Sequence, residues 1–332
     1  MDPKTQLTEL AQGYRQSIVL LTACKLGIFA ALGRDRRTAN DLAAQRKLDP
    51  RALETTLLAL AAEGILECHD QSFCIAPRYL EILLPDGDQT QSHIFNHNYN
   101  CLQRWCRLAE VLRTGQPVPE PADEPEEDSL RDFICGMADI SRVASKEVLE
   151  KVDLSPFRKM LDLGGGPATA AIEFARQHPQ LSCVVFDLPG AIAIAREEIL
   201  RAGLTDRIET RIGDYYQDEF GQGFDLVYIS NIIHSMAPAD TDLIARKSQQ
   251  ALLPGGTVMI KEFFLEDDRT SPAAAAYFSI NMLVATEGGK SYTLRETREI
   301  FRNAGFRDFR SIDLAADSRL LIARNAGTPT GS

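Results

Sequence analysis

Four acids and a histidine follow short apolar runs at similar points in the second half of the chain. Asp162, Asp187, Asp214, His234 and Glu262 each lie at or just past the end of a run typical of a buried strand. In open α/β sheets, ligands bind beyond the carboxyl ends of the strands. Carboxylates there can accept hydrogen bonds from hydroxyl or amino groups, and a histidine can move a proton near neutral pH. The spacing therefore predicts a single binding and catalytic site.

The stretch from 160 to 187, MLDLGGGPATAAIEFARQHPQLSCVVFD, contains the first two of these acids. It predicts a strand, a glycine turn, a helix over 168–177 and a second strand that stops on an acid. Three glycines at 164–166 let the backbone approach a ligand, and Pro167 fits the first turn of the helix. This layout is typical of a βαβ unit that holds a nucleotide-like ligand.

Two kinds of cofactor compete for this stretch, and an ordinary glycine turn with nothing bound is the third reading. A dinucleotide would favour a third spaced glycine where Thr169 stands, and Pro167 removes one N–H donor that a pyrophosphate would use. Asp162, just before the glycines, suits a cationic ligand, and Asp187 can accept from ribose hydroxyls. The stretch therefore favours an adenosine-bearing ligand without phosphates over NAD.

The second half as a whole alternates strands with helices, which predicts a parallel sheet flanked by helices. Beyond the glycine stretch, the patterns predict strands at 208–212, 224–229, 257–262, 306–314 and 318–324, and helices at 238–252 and 295–303.

The composition is that of a globular protein of one large or two ordinary domains: 332 residues, 44% hydrophobic and 25% charged. We expect a cytoplasmic protein with no membrane partner, because no apolar run approaches 18 residues and no signal-peptide pattern is present. The seven cysteines form no CxxC pair, so neither a zinc site nor a disulfide framework is indicated. The net charge of −11 argues against nucleic acid as a partner.

The first 82 or so residues predict a helical block. Apolar helical patterns cover 7–14 and 18–32, Asp49 and Pro50 are typical of a helix start, and runs at 65–68 and 72–75 predict a hairpin. Helix, helix and hairpin together form a winged-helix plan, which often binds DNA. The expected recognition helix offers Arg51 but is otherwise Ala, Leu, Thr and Glu, so this plan favours packing between two copies of the chain.

A further helix is expected over 91–113, with His93 and His97 on one side. Two histidines four residues apart can bind a metal, but no third ligand of matching type is nearby, so we expect no metal and assign His97 to a cavity wall. Residues 115–128, rich in proline and acid, predict an exposed linker before a connecting helix. The expected division is 1–114, 115–150 and 151–325.

Several motifs in order carry a resemblance to a known family. LDLGGG, FDLP, GDYY, the histidine after the fourth strand, LLPGG, and GGKSYT followed by AGF resemble the caffeate/hydroxyindole type of small-molecule O-methyltransferase, which uses S-adenosylmethionine. LGIFAAL and LDPRALETTLLALAAEGIL resemble its dimerisation domain, so the similarity covers nearly the whole chain. It implies an α/β fold: a Rossmann-like seven-stranded methyltransferase domain whose last strand is antiparallel, with an N-terminal helical winged-helix dimerisation domain. It also implies a homodimer.

The resemblance also implies roles for individual residues. His234 matches the general base and Glu262 the carboxylate that orients it. Gly164 and Gly166 would pass beside the methionine part of the cofactor, with Ser141 near its carboxylate. Asp187 would hold the ribose, Leu188 would pack on the adenine, Asp214 would accept from the adenine amino group and Tyr215 would lie against the ring. Asp162 joins this group because an acid there suits a cationic ligand, and the product of the cofactor would be S-adenosylhomocysteine. Phe133, Met137 and Met282 match positions that shape the acceptor pocket, where we also place His97.

The sequence departs from the family at three serines. Ser235 stands where the family often has Asp, and Ser291 where plant members have a second histidine-orienting glutamate. Ser230 stands where plant members have a cofactor-contacting lysine, and we keep it among the cofactor-binding candidates. The expected reaction is methyl transfer to a hydroxyl of a small, aromatic acceptor. The alternatives are a C-methyltransferase or base-independent relative, and a ligand-sensing winged-helix regulator.

Overall fold

The computed structural model describes residues 2–119, 126–315 and 317–326. It divides into two compact units, one formed by Met1–Gln103 with Glu120–Gly136 and the other by Arg104–Pro119 with Met137–Ser332. In the described residues, no helix is long and apolar enough to cross a membrane.

The first unit is mainly helical and carries a small sheet. Two of its sequence expectations are confirmed: Asp49 caps a helix that starts at Pro50, and the two short runs pair as an antiparallel hairpin. The three strands are ordered β1-β3-β2. The winged-helix assignment stays a prediction. The elements are α1 (Pro3–Gln12), α2 (Tyr14–Lys25), α3 (Ile28–Leu32), β1 (Arg37–Thr38), α4 (Ala39–Arg46), α5 (Pro50–Ala62), β2 (Leu66–His69), β3 (Ser72–Ile75), α6 (Leu80–Leu83) and α7 (Ser92–Trp105).

The N-terminal apolar segment divides into a buried and an exposed part. Phe29 and Leu32 of α3 are buried in a core shared with α4 and α5. Helix α1 has no buried residue, and Leu7, Leu10 and Tyr14 are 67%, 68% and 55% exposed. The exposed apolar surface therefore lies on α1 and the start of α2.

The second unit contains a seven-stranded sheet ordered β6-β5-β4-β7-β8-β10-β9. β10 runs antiparallel to β8 and β9, and the pairs from β6 to β8 are parallel. The expected fold class is confirmed. The elements are α8 (Leu108–Thr114), α9 (Glu126–Lys151, which begins in the first unit), β4 (Lys159–Leu163), α10 (Thr169–Gln177), β5 (Ser182–Asp187), α11 (Pro189–Ala202), β6 (Ile208–Ile212), β7 (Phe224–Ser230), α12 (Pro238–Ala251), β8 (Leu252–Glu262), α13 (Ala273–Ala285), α14 (Leu294–Asn303), β9 (Phe306–Asp313) and β10 (Arg319–Asn325).

A hydrophobic core covers each face of this sheet. Met160, Tyr228 and Met259 pack into one core, and their neighbours Leu161 and Val227 pack into the other. Side chains alternate along a strand, so the core in which one strand residue packs determines the face that each of its neighbours occupies.

The single helix expected over 91–113 is wrong, since the structure has two helices there. The chain turns at Cys106 and Arg107, where the N–H of Arg107 donates to the carbonyl of Arg104, three residues back, at 2.9 Å. The Arg107 guanidinium then binds Glu110 of the next helix. A local turn of this kind interrupts the regular bonding between residues four apart.

The exposed linker expected over 115–128 is also wrong in part. Val118 is buried, packs with Val111 and Val284, and donates its N–H to the carbonyl of Val284 at 2.8 Å. The backbone is already helical at Glu126. Residues 120–125 lie outside the described residues.

Candidate active site

The glycine turn after β4 is held by the carboxylate of Asp187. The N–H of Gly166 donates to Asp187 Oδ2 at 2.8 Å, and the N–H of Leu188 donates to Oδ1 at 2.7 Å. A Cβ on Gly164, which has φ of +65°, would lie 2.2 Å from Cδ1 of Ile232. At Gly166 a Cβ would meet nothing within 4 Å. The turn is therefore tight on its Ile232 side and leaves open space beside Asp187.

Pro167 does not begin the helix, contrary to the sequence expectation. The N–H of Ala168 donates to the carbonyl of Gly165 at 2.9 Å, which closes a turn that contains the proline. Ala168 has φ of +64°, and α10 starts one residue later at Thr169. The left-handed residue separates turn from helix, because a right-handed helix cannot pass through that conformation.

Asp162 is a buried carboxyl group at the carboxyl end of β4. It is 1% exposed, and its Oδ2 has no hydrogen-bond partner among the described residues. Burial raises the pKa of Asp162 to about 7; a bond from the Ala171 N–H lowers it, and the nearby charge of Asp187 raises it. An acid in this state can bind a cation that replaces the missing partner.

Asp214 and Tyr215 open the loop that follows β6. The carboxylate of Asp214 accepts the N–H of Tyr216 at 2.8 Å and the side-chain amide of Gln217 at 3.1 Å. Burial raises the pKa of Tyr215 to about 12, and the charges of Asp187 and Asp214 raise it further. The two acids and the tyrosine therefore lie at one end of the sheet.

A buried lysine on α12 holds this loop. The ammonium of Lys247, which is 8% exposed, donates to the carbonyls of Tyr215, Tyr216 and Asp218 at 2.9, 3.2 and 3.0 Å. All three of its N–H groups thus have acceptors on the same short segment. The sequence does not predict this role for Lys247, because a lysine in an amphipathic helix usually lies on the solvent face.

His234 lies in a short 3-10 turn (Ile233–Ser235) after β7, opposite the last residue of β8. Its Nδ1 is 2.7 Å from Oε2 of Glu262, and its backbone N–H donates to Oε1 at 3.4 Å. The two side chains are 12% and 3% exposed. The ring of Phe278, from α13, meets the imidazole edge-on at 4.7 Å. Two parallel strands and one helix therefore fix the orientation of the imidazole.

The three serines at the departures from the family pattern have separate surroundings. The Ser291 hydroxyl is buried and donates to the carbonyl of Ala275 at 2.7 Å, and the Ser235 hydroxyl donates to that of Ile232 at 2.8 Å. Ser230 lies at the end of β7, near Tyr228: burial raises the pKa of the Tyr228 phenol, and the Ser230 hydroxyl lowers it. Glu262 is therefore the carboxylate that contacts His234.

The residues expected at the acceptor pocket lie on helices α7, α9 and α13. In the first unit, the rings of His97 and Phe133 lie 5.2 Å apart, and Phe133 is 44% exposed. In the second unit, Met282 is buried on α13, while Met137 and Ser141 are half-buried on α9. Phe278 was missed, because AAAAYFSINMLVA predicts no particular face for it.

The two histidines of α7 have non-metal partners. His93 Nδ1 is 2.7 Å from Asp132 Oδ1, and His97 Nε2 is 3.3 Å from the Cys101 thiol. Across the part of the chain that the structure describes, no three His, Cys, Asp or Glu side chains are grouped so that they could hold a metal ion.

Comparisons with known proteins agree with this architecture. A family model described as the O-methyltransferase domain matches residues 118–307, and one described as the O-methyltransferase dimerisation domain matches residues 8–80. The 3-hydroxy-5-methyl-1-naphthoate 3-O-methyltransferase of Streptomyces sahachiroi is 35% identical over 325 residues, 94% of this chain and 92% of the relative. The L-tyrosine C(3)-methyltransferase of Streptomyces lavendulae is 28% identical over 303 residues, 86% and 82% of the two chains. The structure of human N-acetylserotonin methyltransferase with S-adenosylmethionine has a TM-score of 0.85 at 25% identity, covering 98% of this chain and 99% of that chain.

The chain belongs to the O-methyltransferase family, and it is an S-adenosylmethionine-dependent methyltransferase. The resemblance found in the sequence is thereby confirmed. The site also fits this cofactor on its own geometry. Asp162 offers a buried acceptor without a partner, and the open side of Gly166 adjoins the carboxylate of Asp187. An ammonium group and ribose hydroxyls are the donors that such acceptors bind.

Proposed function

We propose that this enzyme transfers the methyl group to a hydroxyl of a small aromatic acceptor, with His234 as general base and Glu262 as the group that orients it. The observation that carries the proposal is the 2.7 Å contact between His234 Nδ1 and Glu262 Oε2. A carboxylate at Nδ1 keeps the proton on that nitrogen, so Nε2 is the one that accepts a proton.

S-adenosylmethionine, when bound, supplies a methyl group already activated by its sulfonium. What remains for the chain is to place a nucleophile and to remove its proton. A phenol has a pKa near 10, so few phenols are ionised at neutral pH, and a nearby imidazole can accept the proton as the oxygen reacts. Phe278, edge-on to His234, supplies an apolar wall that suits an aromatic ring.

The names of two relatives support an aromatic hydroxyl acceptor. The Streptomyces sahachiroi protein is a naphthoate O-methyltransferase, and the human structure is of a methyltransferase for N-acetylserotonin. The Streptomyces lavendulae relative is a tyrosine C-methyltransferase, which keeps carbon methylation as the second candidate. The serine at position 291, in place of a second carboxylate, also leaves that candidate open.

Labelled methyl transfer to paired acceptors tests the proposal. 2-Naphthol and larger hydroxyarenes would be offered beside the same rings with the hydroxyl already methylated. Label in an ether product from the free hydroxyl alone supports O-methylation. Label on a ring carbon of either member of a pair would instead establish carbon methylation.

For the cofactor, we propose that Asp187 binds the ribose, with Leu188 and Tyr215 against the adenine and Asp214 at its amino group. The glycine turn at Gly164 and Gly166 would pass beside the methionine part. Ser141 and Ser230 remain candidates at the same end. The support is that Asp187 Oδ2 lies at the open side of Gly166, while the Lys247 contacts order the loop of Asp214 and Tyr215.

Cofactor affinity should depend on pH through Asp162. Its folded pKa of about 7 lies above the usual 3.8 of an aspartate carboxyl, so the ligand-free carboxyl is partly protonated at neutral pH. Its attraction for a ligand ammonium is present above pH 7 and lost as the pH falls through 7. The Kd of S-adenosylhomocysteine, measured by calorimetry, should therefore fall about tenfold from pH 6 to pH 8. Asp162→Asn should bind S-adenosylhomocysteine more weakly, and its Kd should lack this pH dependence. An equal pH dependence in both proteins would show that another group causes it.

We further propose a homodimer formed through the N-terminal segment, within the expected dimerisation domain of 1–114. Leu7, Leu10 and Tyr14 present a contiguous apolar surface on helices that bury little in one chain. Light scattering at micromolar concentration should give twice the chain mass. Leu10→Glu should shift that mass toward a monomer, while Leu200→Glu, at an equally exposed leucine of α11, should not. A wild-type monomer would contradict the proposal.

A further inference from the structure

Lys261, the penultimate residue of β8, is a buried cation that the proposed reaction does not use. It is 1% exposed, and its ammonium donates to Asn231 Oδ1 at 3.0 Å and lies 4.5 Å from the ring centre of Phe263. Within the described residues it forms no ion pair. A buried charge with only a neutral acceptor is costly, because the ammonium has lost its water without gaining an anion.

The sheet register places Lys261 on the same face of the sheet as Asp162. Lys261 lies beside Ser230 in the pairing of β7 with β8. Met160, Tyr228 and Met259 pack in one core, and the residue two places after each shares its face: Asp162, Ser230 and Lys261. Glu262 points to the opposite face, where it contacts His234. The lysine therefore belongs to the side of Asp162 rather than to the side of the base.

The acids around Lys261 are engaged with other groups. Glu147 binds Lys151 and the N–H of Ala315, and Glu262 binds His234. Burial lowers the pKa of Lys261 to about 8, while the charges of Glu262 and Glu147 raise it. At pH 7 the side chain is thus still largely an ammonium, and an incoming anion would find it unpaired.

Two other buried polar groups belong to this side of the sheet. Asp162 Oδ2 and the hydroxyl of Ser145 have no hydrogen-bond partner among the described residues. Ser145 is fully buried on α9, the helix whose Val148 packs into the core on this same face. A carboxylate and a hydroxyl without hydrogen-bond partners, together with an ammonium that has no anion, are the groups that recognise the ammonium and carboxylate of an α-amino acid.

We propose that Lys261 is the cation of a carboxylate-binding site, and that its ligand is the α-carboxylate at the methionine end of the cofactor. The proposal rests on the cofactor assignment made above and not on the role of His234. A carboxylate carried by the acceptor has the same chemistry, so the experiment must separate these two sources.

The test compares S-adenosylhomocysteine with its decarboxylated analogue, which lacks the carboxylate. Calorimetry would be done on the full-length wild type, Lys261→Met and Lys261→Arg, each checked for an unchanged circular dichroism spectrum. Wild type should bind S-adenosylhomocysteine at least roughly tenfold more tightly than the analogue, the scale of a charge-assisted hydrogen bond. Lys261→Met should lose that preference by weakening only the carboxylate ligand, and Lys261→Arg should restore part of it.

The remaining outcomes separate the sources. If Lys261→Met leaves S-adenosylhomocysteine binding intact but weakens 3-hydroxy-1-naphthoate and not 2-naphthol in its presence, the carboxylate site stands and its ligand is the acceptor. Equal weakening of both cofactor analogues, or no change for any of these ligands, overturns the proposal. Failure of the wild type to bind S-adenosylhomocysteine would instead contradict the cofactor assignment.

Discussion

Replacement of His234 by alanine is expected to lower turnover roughly 10²–10⁴-fold while cofactor affinity stays nearly constant. Glu262 Oε2 at Nδ1 and the edge-on ring of Phe278 orient the imidazole, and neither contact involves the glycine turn. Turnover would be measured with saturating cofactor and a phenolic acceptor, and affinity by calorimetry with S-adenosylhomocysteine. His178→Ala, which changes a half-buried histidine at the end of α10, is the matched control and should leave turnover unchanged.

The pH dependence of this loss separates a base from a residue that only lines the pocket. As the pH rises toward the pKa of the phenol, solvent supplies the phenolate, so the deficit of His234→Ala should shrink. Loss of a pocket wall would cost the same at every pH. Glu262→Gln should lower turnover less than His234→Ala, because it loosens the ring without removing it. Near-normal turnover of His234→Ala at pH 7 would contradict the proposed role of His234 as general base, while the methyltransferase assignment would stand.

Replacement of Asp187 by alanine is expected to weaken cofactor binding by about 1.5–3 kcal/mol, or roughly 10- to 150-fold. Calorimetry with S-adenosylhomocysteine measures this, and thermal unfolding shows that the chain remains folded. The carboxylate also accepts the N–H groups of Gly166 and Leu188, so part of the loss would arise from a looser turn. Asp187→Asn keeps an acceptor oxygen and should lose less.

The exposed Asp206 provides the control for this variant. Asp206 lies on the loop after α11 and does not contact the glycine turn. The Asp206→Ala variant should therefore bind the cofactor as the wild type does. An unchanged dissociation constant for Asp187→Ala would remove Asp187 from the site.

Elements with strong local patterns were predictable from the sequence. The strand at 208–212 has the same bounds in the structure, and Asp49 with Pro50 marks the start of α5, because both signals act within a few residues. The contact of His234 with Glu262 also followed, since adjacent parallel strands end at the same edge of the sheet.

Features set by distant or unusual contacts were not predictable. The turn at Cys106 and Arg107 contains neither glycine nor proline, so no local signal separates α7 from α8. Val118 is buried by Val284, which lies far along the chain. Lys247 and Lys261 are buried through backbone carbonyls and one amide, and these acceptors leave no mark in the sequence.

The contacts of Lys247 bear on how this family member could change its ligand preference over time. Its three acceptors are main-chain oxygens, which every amino acid possesses. Substitutions at 215, 216 and 218 can therefore alter the surface that we propose to face the adenine while the loop keeps its anchor. The lysine that anchors the loop lies on α12, outside the loop itself. The side chains of the loop can therefore change in evolution while its backbone shape is kept. One lysine thus frees a short segment to vary.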